Sequence, residues 1–239
     1  MTIDLSDLPI RAVDCLKHIY KLRERGERVS TSAMRERLET LEPSGQLSDA
    51  TVTQLFKWLE KKGLVIHTPY HGAELTASGE VAAAELVRHH RLLELFLVRY
   101  MGFALDKVDA EAERLEHAIS EEFEDRMDIL LGRPTEDPHG DPIPSKAGTV
   151  HVAPTQRLSD LQPGQAAVIR RVSDDDAEKL RYLSHLGLVP GAWVTLRDRE
   201  PFDGPLRVQV GEPHGGQECS VGPHLAAGVL VAVRDHERA

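Results

Sequence analysis

Three residues in one stretch have the types and spacing to hold a metal ion. In DKVDAEAERLEHAISEEFEDRMDIL, Asp106 to Leu130, Glu113, Glu116 and His117 stand at i, i+3 and i+4. On a helix they share a face, so two carboxylates and an imidazole can converge on one point. Val108, Ala112, Leu115, Ile119 and Phe123 recur at the helical period and form an apolar stripe. Asp109, Glu113, Glu116 and His117 fall in a band beside that stripe. Carboxylates at a core boundary lose hydration, which is costly unless a cation or partner compensates. The sequence here therefore suggests cation binding by oxygen donors and one nitrogen donor. A solvated acidic helix face gives the same pattern, and the triplet alone does not separate the two.

The chain that must position these residues has 239 amino acids, 41% hydrophobic and 28% charged, enough for two or three small domains. No apolar run is long enough to span a bilayer, and MTIDLSDLP lacks the basic and apolar regions of a signal peptide. Cys15 and Cys219 lie far apart and form no framework, so a reducing, cytoplasmic compartment is expected. A net charge of −10 argues against indiscriminate nucleic-acid binding but leaves room for a local basic patch. It also suits a protein whose excess carboxylates are offset by bound cations.

From Ile10 to about Glu24, Val13, Leu16, Ile19 and Tyr20 mark a helix. Asp14 lies one position off that stripe, and within this segment it reads as a surface carboxylate. Ser30-Thr31-Ser32 offers N-cap hydroxyls to AMRERLETL, and a break follows at Glu42-Pro43-Ser44-Gly45. Ser48 or Asp49 then caps a longer helix that buries Val52, Leu55, Phe56 and Leu59 and stops at Gly63. Ser48, Thr51, Thr53, Gln54 and Lys57 remain on exposed or edge positions with no acid among them, as contacts to bases and phosphates require. LVIHTPYHGAELT reads as a hairpin turning at Pro69-Tyr70-His71-Gly72. Helix, helix, longer helix, hairpin is the order of a winged helix-turn-helix, in which the second helix of the motif enters the major groove.

Ser78 to Met101 reads as a long helix with apolar residues around most of its circumference, so a subunit interface is expected there. His90 and Glu94, at i and i+4, form a further potential metal pair. After Gly132, RPTEDPHGDPIPSKAGTVHVAPTQ reads as a linker or extended segment. From Leu158 onward short β runs alternate with Gly/Pro turns, interrupted by the helix DDDAEKLRYLSHLG, and suggest a small barrel. The expected architecture is mainly α with a C-terminal β domain. Its parts are a winged helix-turn-helix over 1–76, a helical metal-binding and dimerisation domain over 77–144, a linker over 145–157 and an SH3-like barrel over 158–239.

In this order TVTQLFKWLEKKGLV, RHHRLLELFL, DKVDAEAERLEH, HGDPIP and LSDLQPGQAAVI…LSHLGLVPGAWVTL…HLAAGVLVAV resemble the diphtheria-toxin-repressor family of metal-dependent transcriptional repressors, over nearly the whole chain. The resemblance implies a primary metal site at Asp14, Glu113, Glu116 and His117, and an ancillary site at His90, Glu94 and Asp109. It also implies a carboxylate from the SH3-like domain, with Asp176 the match among Asp174-Asp175-Asp176. Iron-responsive members carry a thioether and a thiol where this chain has Asp14 and Glu113. Carboxylate and imidazole donors favour Mn²⁺, with Fe²⁺ the alternative. Lys17 stands where manganese-responsive members often add another carboxylate, and Asp109 where iron-type members carry a histidine. Cys15 is read as a small core residue. The break ETLEPSGQL exceeds the usual three- or four-residue turn, which bears on the first helix's phosphate contacts.

The implied function is metal-gated repression: a homodimer that binds a palindromic double-stranded operator when divalent metal joins the N-terminal helix to the dimerisation domain. It has no membrane partner and no catalytic role. Two other functions fit parts of the sequence. A di-metal enzyme would use the Glu/His helices but lacks any GxSxG or HExxH motif. A metal-independent winged-helix regulator would leave the carboxylate band unexplained.

Overall fold

The computed structural model describes residues 8–41, 47–173, 176–211 and 215–233. Two compact units emerge. One runs through Leu93 and adds Glu113–Met127 and Ile143–Val150; the other comprises Glu94–Ala112, Asp128–Pro142 and the C-terminal part from His151.

In the first unit, helices α1 (Ile10–Glu24), α2 (Thr31–Leu41) and α3 (Asp49–Lys61) precede strands β1 (Val65–Thr68) and β2 (Gly72–Leu75). Ser30 Oγ accepts from the Ala33 amide, and Ser48 Oγ accepts from the Thr51 amide, so hydroxyl caps start α2 and α3. Val52, Phe56 and Leu59 bury one face of α3 among Leu16, Ile19, Met34 and Leu38. Each large side chain so buried contributes about 1.5–3 kcal/mol. The hairpin pairs Val65 with Leu75 and Thr68 with Gly72. Gly72 (φ 102°) lies so close to the Val29 carbonyl that a Cβ would sit 1.7 Å from its oxygen. This is a winged helix-turn-helix as expected; the expected break from Glu42 to Gly45 lies outside the described residues.

Helix α4 (Ala77–Met101) begins in this unit. Its apolar circumference is largely buried within the chain itself: Ala83, Val87, Leu92 and Leu93 are covered, and Val81, Tyr100 and Met101 stay exposed. The surplus available to a partner is therefore smaller than its composition suggests. Arg91 of α4 pairs with Glu24 of α1 at 2.6 Å and fixes how α1 lies on α4.

The stretch from Asp106 to Leu130 is not one helix. It divides into α5 (Leu105–Leu115), a 3₁₀ turn (Glu116–Ala118) and α6 (Glu121–Leu130). Ile119 is extended (ψ 143°), and Ser120 restarts the chain by accepting the Phe123 amide through its hydroxyl. The continuous apolar stripe is broken accordingly, leaving Leu115 and Phe123 exposed.

In the second unit a six-stranded antiparallel sheet has the order β3-β8-β4-β5-β6-β7. The strands are β3 (Gln156–Arg157), β4 (Ala166–Val172), β5 (Trp193–Arg199), β6 (Leu206–Val210), β7 (Gln217–Val221) and β8 (Val229–Val233), with α7 (Ala177–His185) and α8 (Pro223–Ala227) between them. Leu158, Ile169, Leu183, Val194, Val208 and Val231 fill its core. The segment read as a linker is partly built into this unit. The His139 carbonyl accepts from the Val172 amide at 2.9 Å, and Asp141 pairs with Arg171 at 2.6 Å.

Candidate metal centre

Helix α1 carries Asp14, Lys17, His18 and Lys21 at spacings of three and four, and all are buried. Such a stripe faces one way, and buried charges persist only when paired. Asp14 is thus no surface carboxylate. Facing it are Glu113, from the last turn of α5, and Glu116 and His117, from the 3₁₀ turn. His117 Nε2 lies 3.1 Å from Asp14 Oδ1, and Asp14, Glu116 and His117 bring one ligand atom each within 4.8 Å of one another. The change from α to 3₁₀ is what brings Glu116 and His117 to this point.

At the centre is Lys17. Its ammonium, with no exposed side-chain surface, donates to Glu113 Oε1 and Glu116 Oε1 at 2.5 Å each. The Lys21 ammonium lies 3.3 Å from His90 Nε2. An ammonium only donates, so Nε2 is the acceptor in a neutral imidazole, and Nδ1–H donates to Glu116 Oε2 at 2.6 Å. His90 also comes within 3.8 Å of Glu113. Where the sequence grouped His90 with Glu94, the geometry places it beside Glu113 and Glu116.

Charge explains the balance of protonation. Burial raises the Glu116 carboxyl, but the Lys17 ammonium and the hydrogen bonds from His90 and Lys17 outweigh it and hold that carboxyl well below the ordinary range. Burial would lower Lys17, yet Glu116 and Glu113 keep it above its ordinary value. The hydrogen bond to Asp14 raises His117 against the opposing effect of burial. Burial pushes the Cys15 thiol far above its ordinary value, with Asp14 adding to the effect, so this neighbour is a core residue and not a thiolate donor.

The second unit holds another group, Glu94, Asp137 and His139, all buried. His139 Nε2 lies 3.0 Å from the Leu105 carbonyl, which can only accept. The neutral ring therefore presents Nδ1 as its acceptor nitrogen, 3.7 Å from Glu94 Oε1. Asp137 Oδ1 accepts the amides of His139 and Asp141, which shapes the turn. Gly140 (φ 88°) passes so close to the Arg170 carbonyl that a Cβ would lie 1.8 Å from its oxygen. Sequence reasoning missed Asp137 and His139. The signal was a histidine between two aspartates in a segment with no periodicity to orient it.

Asp109, half-buried, sits one turn before Glu113 on α5. Asp176 caps α7, accepting the amides of Glu178 and Lys179; Asp174 and Asp175 lie outside the described residues. On α3, Thr51, Gln54 and Lys57 are exposed. Thr53 Oγ1 donates to the Asp49 carbonyl, and Ser48 is engaged as the cap. Thr51 Oγ1 shares a hydrogen bond with Ser48 Oγ at 2.9 Å, so of the five Gln54 and Lys57 are the exposed side chains set apart from the cap.

Sequence models place these features in a known setting. Residues 7–73 match "Iron dependent repressor, N-terminal DNA binding domain", residues 76–145 match "Iron dependent repressor, metal binding and dimerisation domain", and residues 156–233 match "FeoA domain". The iron-dependent repressor IdeR of Mycobacterium leprae is 35% identical over 193 residues, covering 76% of this chain and 81% of that protein. The diphtheria toxin repressor of Corynebacterium efficiens is 32% identical over 194 residues, covering 76% and 80%. Among solved structures, a manganese-dependent transcriptional repressor in complex with manganese superposes with a TM-score of 0.82 at 35% identity, covering 93% of this chain and all (100%) of that one. The IdeR of T. acidophilum gives 0.73 at 26% identity, covering 93% and 97%.

Proposed function

The chain belongs to the iron-dependent repressor family of metal-dependent, DNA-binding transcriptional repressors, and from that premise we propose that it is a Mn²⁺-gated repressor of metal-uptake genes. Mn²⁺ is the proposed physiological metal and Fe²⁺ the alternative. The supporting observation is the meeting of buried Asp14 and Glu116 with the more open His117, and of Glu113 through Lys17, which joins α1 to the α5 end. Its donors suit such a cation: three carboxylates and an imidazole, with the one neighbouring thiol held protonated. The Lys17 ammonium already held between Glu113 and Glu116 supports the fit, because these carboxylates bind positive charge.

Asp14, Glu113 and Glu116 would bring three negative charges to the site. Lys17 offsets one of them, and the rest attract a divalent cation. A bound cation supplies the charge that lets Asp14 and the Glu116–His117 turn stay together. α1 leads directly into the DNA-binding helices, so holding Asp14 there biases the orientation of α3. The metal acts only through its differential affinity for that arrangement. Glu94, Asp137 and His139 are proposed as a further metal group, beside the ancillary set of His90, Glu94 and Asp109 and the Asp176 carboxylate that the resemblance implies. Exposed Tyr100, Met101, Ile129 and Leu130 suit a homodimer interface. Thr51, Gln54 and Lys57 face the operator, a palindrome whose half-sites lie about one helical turn apart. A protein acting on operator DNA works in the cytoplasm.

Gel-shift titrations with chelator and with Mn²⁺ test this reading. Asp14→Ala and Glu116→Ala are expected to abolish Mn²⁺-dependent operator binding while the dimer stays folded. Binding that ignores metal would support a metal-independent regulator, and no DNA binding under any condition would reopen the di-metal enzyme.

A further inference from the structure

The polar stripe of α1 meets the candidate metal cluster with charges of both signs. At its N-terminal end Asp14 brings a carboxylate, and Asp14, Glu116 and His117 each place one ligand atom within 4.8 Å of the others. One turn later Lys17 brings an ammonium, and a further turn on Lys21 brings another. The Lys17 ammonium lies 2.5 Å from Glu113 Oε1 and 2.5 Å from Glu116 Oε1, and the Lys21 ammonium 3.3 Å from His90 Nε2. His90 Nδ1 in turn lies 2.6 Å from Glu116 Oε2 and 3.8 Å from Glu113 Oε1. Glu113, Glu116 and His90 are therefore a second convergence of carboxylates and an imidazole, and both ammonium groups of α1 point at it.

Exposure divides the cluster along the same line. The Lys17 side chain is 0% exposed, Glu116 5% and Glu113 10%, whereas His117 is 23% exposed. An ion from solvent approaches beside His117, and the position between Glu113 and Glu116 is closed over the ammonium. Burial alone would discharge Lys17, but Glu116 and Glu113 outweigh it, so the ammonium keeps its charge. That charge rides on a flexible four-carbon stem fixed to α1, so no chelator removes it and it is present at any metal concentration. A buried ammonium that bridges two carboxylates sits as a bound cation would. Like charge at such short range repels a second divalent ion.

We propose, resting on Asp14, Glu116 and His117 as the gating site read above, that Lys17 limits this centre to one divalent cation by holding the Glu113–Glu116 position as a built-in second cation. Gating then depends on a single ion on the Asp14–His117 side. The contact of α1 with Glu113 and Glu116 is already made before that ion arrives. A carboxylate in place of Lys17 reverses the sign of the stripe and opens the position to a metal, with Glu113, Glu116 and His90 as the other donors.

The test counts Mn²⁺ bound to the full-length protein by equilibrium dialysis and records its electron paramagnetic resonance. Lys17→Glu is expected to bind one Mn²⁺ per chain more than the native protein, and the added ion should couple magnetically to the first and broaden the spectrum. Lys17→Gln, which removes the charge alone, should bind the first ion about tenfold or more tightly than the native chain does. It carries the test should Lys17→Glu not fold. Asp14→Ala should lower the native count by one. An equal count in Lys17→Glu and native protein, an unchanged affinity in Lys17→Gln, or a coupled pair in the native protein that Asp14→Ala abolishes overturns the role of Lys17 and leaves the gating site standing. If Asp14→Ala leaves the native count unchanged, the gating site itself is misplaced and the role of Lys17 falls with it.

Discussion

Lys17 donates to Glu116 Oε1 at 2.5 Å, and both side chains are buried. The same ammonium reaches Glu113 at 2.5 Å, so a single lysine holds together two carboxylates that would otherwise repel. It acts as a tethered cation within the candidate metal cluster. Removing one member of a buried ion pair strands the other and costs about 3–5 kcal/mol. Lys17→Met, which keeps the volume but not the charge, should lower the melting temperature of the metal-free protein well below that of the native chain. Divalent metal should then restore more stability than it adds to the native protein, because cations replace the lost charge. Calorimetry with chelator and with Mn²⁺ measures both; an unaltered metal-free melting temperature would show that Lys17 is not compensating these carboxylates.

His117 gives opposite pH signs for the metal-free and metal-bound protein. Its hydrogen bond to Asp14 raises its folded value above the ordinary one of about 6.5. The protonated His117–Asp14 pair therefore stabilises the metal-free fold fully below the ordinary value and loses that effect as pH rises through the raised one. A metal ligand must instead be deprotonated, so Mn²⁺ affinity should increase over the same interval. The melting-temperature gap between native protein and His117→Gln, both metal-free, should narrow from about pH 6 upward, while Mn²⁺ binding by the native protein tightens. A gap constant with pH would remove His117 as the titrating group.

Asp137 combines two roles that one substitution separates. Its Oδ1 accepts the amides of His139 and Asp141, and its charge sits with Glu94 and His139. Asp137→Asn keeps the acceptor and drops the charge; Asp137→Ala loses both. The alanine variant should be destabilised by about 1–3 kcal/mol through the orphaned amides. The asparagine variant should melt near the native temperature yet bind the second metal equivalent at least tenfold more weakly. Equal metal binding by Asp137→Asn and native protein would confine Asp137 to shaping the turn.

The N-terminal half was legible because local signals agree there. Apolar spacing, the Ser30 and Ser48 caps and Gly72 all specify the same elements that form. The Asp106–Leu130 stretch was misread as continuous because its apolar residues keep helical spacing straight through the break. Ser120, the residue that restarts the helix, is a cap only once Ile119 is extended. The polar stripe of α1 was hidden for a related reason. Asp14 reads as a surface carboxylate until Glu113 and the 3₁₀ turn meet its helix through Lys17 and His117, and that is a long-range fact. Strand β7, QECSV, escaped notice because an edge strand with exposed residues carries little apolar pattern. Family resemblance points to Glu94 but not to Asp137 and His139, which the structure brings beside it.

On α3, Gln54 and Lys57 lie one turn apart, both exposed, and should differ in what they contribute to DNA binding. An amide side chain has the donor and acceptor to read a base edge, typically adenine, whereas an ammonium is a point charge suited to phosphate. Gln54→Ala should cost about 1–3 kcal/mol on the preferred operator and flatten the preference at one base pair in each half-site. Lys57→Ala should weaken all sequences alike and reduce the slope of log affinity against log salt by about one. Ser48→Ala serves as the control: loss of the α3 cap lowers stability by about 1 kcal/mol without altering sequence preference. Fluorescence anisotropy on single-base operator variants at several salt concentrations distinguishes the three. A uniform loss for Gln54→Ala, with no position relaxed, would mean that α3 does not present Gln54 to the bases.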